Sequence, residues 1–165
     1  MILRALEPED LSQLRDWRNS EELRPIFREH RLLNMINQHD WLEHVSRSYE
    51  VEMFGIVVEG LVGACGLCNI DWVNRTAEVS IYISTGPYGL ELKLEVMDLL
   101  IDKAFEEFNL HRLWAEVYEF NTTNIELFEA TGFKREGVLC EHVFKQGKYY
   151  NCLMYGFINR RRCSS

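Results

Sequence analysis

The sequence predicts an α+β fold of three layers (α/β three-layer), with helices flanking a central mixed, mostly antiparallel sheet of about seven strands. Three observations carry that expectation. Apolar runs at 52–59 and 61–69 meet at Glu59-Gly60, and runs at 133–144 and 148–158 meet at Gln146-Gly147, which reads as two antiparallel hairpins. A strand–helix–strand unit spans 76–118, and such a unit closes as a right-handed parallel crossover. No repeat, low-complexity tract or Pro/Gly/Ser-rich linker interrupts the order β-α-α-β-β-β-α-β-α-β-β, so residues 1–165 read as one domain.

The elements follow in chain order. Residues 2–6 form a short strand, and Pro8, Glu9 and Asp10 open a helix carrying Leu11, Leu14 and Trp17 at helical spacing. Residues 20–47 read as helical pieces broken near Pro25 and around Asn34–Asn37. A turn near Asn74 follows the first hairpin, and 76–84 is a strand. Met97, Leu100, Ile101, Ala104, Phe105 and Phe108 fit the i, i+3, i+4 pattern of a helix over 97–108. The stretch before it, Leu90 to Val96, alternates with period two, which by itself reads as a strand. Residues 111–118 form a strand and 121–130 a short helix, with Gly132 as its stop.

Composition narrows the function. With 18 Lys+Arg against 26 Asp+Glu the net charge is −8, which disfavours bulk nucleic acid or an anionic membrane as partner. Hydrophobic content of 47% with 27% charged residues is that of a folded globular chain. No apolar run approaches the ~20 residues of a membrane helix, and residues 1–10 lack the basic and apolar regions of a signal peptide, so a cytoplasmic location is expected. The odd count of five cysteines agrees with free thiols in a reducing compartment. Cys65 and Cys68 form a lone C-x-x-C inside an apolar stretch, where strand packing competes with redox or metal chemistry. His30, His39 and His44 lie near one another at no metal-ligand spacing, so no metal is expected. Arg160-Arg161-Arg162 reads as a solvated basic tail, and the apolar final hairpin suits either the core or a homodimer contact.

Four segments carry a resemblance to a known family. They are Ala77-Glu78-Val79-Ser80-Ile81-Tyr82-Ile83; Pro87-Tyr88-Gly89 through Glu95 with the helix ending Lys103-Ala104-Phe105; Asn109-Leu110-His111-Arg112 through Asn121, leading to Leu127-Phe128-Glu129-Ala130-Thr131-Gly132-Phe133; and Arg135-Glu136-Gly137-Val138-Leu139 onward to Tyr150. In this order and spacing, together with Trp17-Arg18-Asn19, they resemble the GNAT superfamily of acetyl-CoA-dependent N-acetyltransferases. The match is to the branch that acetylates ribosomal-protein N-termini, polyamines and nucleotide-linked amino sugars. The resemblance implies a GNAT-like fold with a parallel, splayed strand pair at the sheet centre. It implies acetyl-CoA as acyl donor, its diphosphate on backbone N–H groups at Tyr88, Gly89, Leu90, Leu92, Lys93 and Leu94, where a helix begins. By the same resemblance, Ile81, Tyr82 and Ile83 supply backbone to the pantetheine arm, and Asn121, Asn124 and Phe128 border the coenzyme.

Two positions depart from the family pattern. Of the loop glycines only Gly89 is present, with Glu91 and Lys93 at the later positions, where Lys93 would pair with Glu91 or reach a phosphate. Phe128 stands where many relatives have the tyrosine that protonates the departing sulfur, so Tyr118, Tyr82 or a water would take that role. Glu78 is the candidate base for the acceptor amine, directly or through water, against the alternative that it simply pairs with an Arg or Lys. The acceptor is a small-molecule amine. Trp17, Arg18, Arg28, His30 and Trp41 make residues 17–47 locally basic and aromatic, which suits a nucleotide-linked amino sugar. A polyamine, a protein N-terminus, or a GNAT-fold binding or regulatory protein with a degenerate coenzyme loop are the alternatives.

Overall fold

Side chains on a strand alternate between its two faces, and that alternation decides where the apolar layers form. A computed structural model describes residues 1–160, so the tail at Arg161 and Arg162 lies outside the described residues. Strands β1 (Ile2–Ala5), β2 (Glu52–Val57), β3 (Leu61–Asp71), β4 (Thr76–Ile83), β5 (Arg112–Tyr118), β6 (Lys134–Lys145) and β7 (Lys148–Ile158) form one sheet in the order β1-β2-β3-β4-β5-β7-β6. Every neighbouring pair is antiparallel except β4 and β5, which are parallel. This is the mixed, mostly antiparallel sheet that the sequence predicts, with β4 at its centre.

On β4, Ala77, Val79, Ile81 and Ile83 point to one face, and on β5 Leu113, Ala115 and Val117 join them. This face is covered by α3 (Leu90–Asp102) and α4 (Thr122–Ala130), whose Val96, Met97, Leu100, Ile101, Leu127 and Phe128 are buried in the same cluster. The opposite face carries Tyr82 of β4 and Ala64 of β3 in a second, smaller cluster with Leu6, Leu11 and Leu14. It is covered by α1 (Leu11–Asn19) and α2 (Met35–Arg47). The sheet therefore has a helical layer on each face.

The alternating stretch from Leu90 to Val96 is helical. Leu90, Leu94, Met97 and Ile101 fall on one stripe continuous with the later turns, and all pack on the larger cluster. The chain then continues in π-helical turns from Lys103 to Glu107, and Phe108 lies beyond them. The expected break at Asn34–Asn37 is instead a helix start. The Asn34 side chain accepts from the Asn37 N–H at 3.0 Å and that of Asn37 from the Asn34 N–H at 3.1 Å, which opens α2. Pro25 sits in a 3₁₀ turn, Arg24–Ile26, where its missing N–H costs no bond. Gly132 ends α4 with φ +91°, and Gln146 and Gly147 turn the last hairpin with φ +49° and +80°, the pattern of a two-residue loop. That hairpin divides its work: β7 buries Cys152, Leu153 and Tyr155, while β6 is largely exposed, with Leu139 and Phe144 open to solvent.

The segment between α1 and α2 is tied down at several points. The Asn19 amide donates to the Leu33 carbonyl and accepts from the Leu33 N–H, both at 2.8 Å. The Phe27 ring meets Tyr82 edge-on at 5.0 Å, with the Arg18 guanidinium over its other side at 4.9 Å. Lys145 donates to the Phe27 carbonyl at 2.5 Å. At the start of α1, Asp10 accepts from both terminal nitrogens of Arg4, at 2.7 and 2.8 Å, and from the Glu7 N–H at 2.9 Å.

The bond to Arg4 holds the Asp10 carboxyl below its ordinary value. Its stabilisation is therefore complete above the unfolded value near ~4 and is lost as pH falls through the folded one. Asp10→Asn is expected to cost about 1 kcal/mol at pH 7, Arg4 being partly screened by solvent. In urea unfolding, the gap between the two proteins should be smaller at pH 3 than at pH 7.

Candidate active site

β4 and β5 stay in register for three residue pairs, Thr76–Arg112, Ala77–Leu113 and Glu78–Trp114, and then diverge. Beyond that point Val79 to Ile83 pair with β3 alone, and Ala115 to Tyr118 with β7 alone. The divergence opens a cleft of about 220 Å³, lined by Val79, Ser80 and Ile81 of β4, Tyr118 of β5, Asn124 and Phe128 of α4, and Arg18, Phe27, Arg28 and Glu29.

A knot of charge sits at the root of the cleft. Glu78, 6% exposed, belongs to the last residue pair between β4 and β5 and faces away from the larger core. Arg28 reaches it from the tethered segment, one terminal nitrogen donating to Oε2 at 3.1 Å and the other to Oε1. The second nitrogen also donates to Glu116 of β5 at 2.8 Å. Asn69 completes the shell by donating to Glu78 Oε2 at 2.7 Å. It sits at φ +50°, where the register of β3 against β4 shifts between Cys68 and Asp71. The Arg28 side chain is more than half exposed, whereas those of Glu78 and Glu116 are mostly buried.

Tyr118 lines the cleft, and burial raises its hydroxyl above the ordinary tyrosine value, so it is protonated at neutral pH. Glu29 is paired with Arg31 at 2.7 Å, which lowers its carboxyl to about 2. Gly89 is the N-cap of α3 and contributes no side-chain cap, and no heavy atom lies within 4 Å of where a Cβ would stand. The first-turn N–H groups are thus reachable by an anion. Burial lowers the Lys93 ammonium from its ordinary value.

Several expected assignments change. Trp17 and Trp41 pack against the smaller core, not the cleft. His30 is exposed, 3.8 Å from Glu29, and lines a separate shallow recess with Arg24 and Lys145. The Tyr82 side chain is buried in the smaller core under Phe27, because position 82 alternates away from Ile81 and Ile83, so it offers no proton in the cleft. Tyr88, Leu90, Leu92 and Leu94 pack their side chains on the larger core, which leaves the backbone as the part open to a ligand. Glu91 is exposed in the first turn and, among the described residues, forms no ion pair with Lys93. The Asn121 side chain is used in capping α4, accepting from the Asn124 N–H at 3.3 Å. Arg28 and Glu78, expected on substrate and on base duty, are bound to each other. Cys65 lies in the larger core, whereas Cys68 borders the cleft, so the C-x-x-C pair points to opposite faces of β3. Burial pushes their thiols up to about 12 and about 11, which suppresses thiolate chemistry. Among the described residues no group of three or more His, Cys, Asp or Glu is placed to hold a metal.

Sequence reasoning missed Glu116, Asn69 and Glu29. The signal for Glu116 was present, a lone acid on the alternate face of Leu113, Ala115 and Val117. Asn69 carried none, since a strand irregularity leaves no periodic trace.

Comparison with known proteins adds to this geometry. A family model described as an acetyltransferase (GNAT) domain matches residues 3–154. The chain is 28% identical over 155 residues to a spermidine N(1)-acetyltransferase of Vibrio cholerae, covering 90% of this chain and 87% of that one. It is 25% identical over 166 residues to an uncharacterized N-acetyltransferase p20 of Bacillus licheniformis, covering 97% and 93%. In structure it is similar to the spermidine N-acetyltransferase of Vibrio cholerae crystallised with CoA and spermine, with a TM-score of 0.88 at 24% identity, over 95% of this chain and 94% of that one.

Asn69→Gly keeps the positive-φ backbone and removes only the amide that donates to Glu78. It is expected to lower stability by about 1–2 kcal/mol, read from the urea midpoint, because a nearly buried carboxylate oxygen loses a donor.

Proposed function

The chain belongs to the GNAT acetyltransferase family, N-acetyltransferases that use acetyl-CoA as acyl donor, and on that premise we propose that its acceptor is a polyamine. The observation that carries this is the pair of carboxylates at the root of the cleft, Glu78 and Glu116, which share one guanidinium, that of Arg28. Such a lining favours a cationic acceptor over the phosphates of a nucleotide-linked amino sugar, and that earlier expectation is set aside. A net charge of −8 also draws polycations toward the protein as a whole. The name of the Vibrio relative supports the same substrate class.

Acetyl-CoA, when bound, supplies an acetyl thioester. The residues present fit it: the uncapped first turn of α3 at Gly89 offers N–H groups to a diphosphate, Lys93 adds a cation beside them, and the unpaired edge of β4 from Val79 to Ile83 offers backbone to an extended arm. Phe128 and Ile81 keep water from the reacting end. In the mechanism we assign, Glu78 takes the proton from the acceptor nitrogen, directly or through water, once its bonds to Arg28 are released. Backbone N–H groups of β4 face the developing oxyanion. Tyr118 delivers a proton from Oη to the departing sulfur, a duty suited to a phenol that stays protonated.

A thiol-release assay with a panel of amines tests the acceptor class. Spermidine should turn over, while an amino-sugar nucleotide and a peptide N-terminus should be turned over at least tenfold less efficiently. A preference for either of the latter two overturns the proposal. Within the mechanism, Glu78→Gln should reduce kcat/KM by about 10²–10⁴, the range of a lost general base. Wild-type rates across pH would take Glu78 out of the chemistry.

A further inference from the structure

We infer that Arg28 occupies the acceptor's own cation subsite, so that the enzyme accepts an amine only if a second positive centre on it can take the place of the guanidinium between Glu78 and Glu116. The inference rests on the polyamine reading and deepens it.

The two carboxylates come from the last paired stretch of β4 and from β5, and they meet where those strands part. A cation in the cleft therefore has one place of strongest attraction. That place is already filled from within the chain, by a fork that donates to both acids. A nitrogen that attacks a carbonyl must be uncharged, so it cannot itself be the cation that neutralises two acids. A diamine or polyamine meets both demands: one ammonium takes the place of the nitrogen that bridges Glu78 Oε1 and Glu116, and the other nitrogen reacts after giving its proton to Glu78 Oε2, the oxygen that the other guanidinium nitrogen vacates. Replacing guanidinium by ammonium leaves the charge of the knot unchanged, so neither acid is left buried and uncompensated.

The exchange needs no movement of backbone. The chain beside Arg28 is fixed by the Phe27 ring against Tyr82, by Lys145 on the Phe27 carbonyl and by Asn19 on Leu33. Only the side chain turns outward, and that side chain is already more than half exposed. Asn69 remains on Glu78 Oε2 throughout and keeps that carboxylate aimed at the cleft. A monoamine cannot release Arg28 and still be the nucleophile. Selectivity thus comes from what must be displaced as well as from what is contacted.

The test uses the full chain, Arg28→Gly and Arg28→Lys, with methylguanidine as a mobile substitute for the missing side chain. In Arg28→Gly the KM for spermidine should fall about tenfold, and methylguanidine should raise it again competitively while leaving the wild type unaffected. Arg28→Lys keeps a cation without the two-acid fork, so its KM should fall less; this variant remains decisive should the glycine variant fail to fold. A KM that rises in either variant overturns the inference, as does equal kcat/KM of the wild type for propylamine and 1,3-diaminopropane. If the wild type turns over no polyamine, the acceptor reading fails, and calorimetry then decides on Arg28 alone. Methylguanidine binding to Arg28→Gly and not to the wild type supports the occupancy, and no binding to the variant overturns it.

Discussion

A sheet that is hydrogen-bonded without interruption has no room for a ligand between its strands, and the cleft here exists because β4 and β5 hold together for only three residue pairs. Parallel strands need a crossover, and the crossover is α3, whose first turn therefore starts near the end of β4 that has lost its partner. From this one divergence follow the bare backbone edge, the uncapped helix start beside it, and the meeting of Glu78 with Glu116. The larger core keeps the strands from closing. Val79, Ile81 and Val117 on the diverging stretches are all buried against α3 and α4, so closing the gap would mean repacking that layer.

The acids at the root of the cleft pose a separate problem. Two carboxylates beneath a protein surface cost free energy unless a cation offsets them, and breaking such a pair from one side costs several kcal/mol in typical cases. Arg28 solves it from a segment fifty residues away in sequence, which requires that segment to be held in place. Asn19 of α1, Tyr82 of β4 against the Phe27 ring, and Lys145 of β6 do so from three different elements. The charge on the site is therefore a property of tertiary structure, not of any one motif.

That explains how much of the molecule was legible in the sequence. Period-two runs and two Gly-containing turns marked the hairpins, and burial on both faces of the sheet matched the apolar positions. The stretch from Leu90 to Val96 misled because leucines two apart fit a strand as well as a broad helical stripe, and only the need to cover β4 and β5 decides between them. Glu78 and Arg28 stood out as chemistry-bearing residues, but one sequence does not show that they bind each other. Trp17 and Trp41 looked functional because aromatic and basic residues cluster there, and Tyr82 because it could stand in for the tyrosine absent at Phe128; the smaller core claims all three side chains. His30 looked functional by the same proximity and lies outside the cleft.

The gap between β4 and β5 also couples the folded state to its surroundings. A ligand that bonds the bare edge repairs the sheet, and it does so only in the native chain, since the edge does not exist in the unfolded one. By linkage, a donor at a hundredfold its dissociation constant adds about 2.7 kcal/mol to stability, a large share of what a domain this size possesses. A cell short of acyl donor therefore leaves this protein idle and also easier to unfold and degrade. Its lifetime becomes a record of metabolic supply, written through the hydrogen bonds that β4 and β5 do not make.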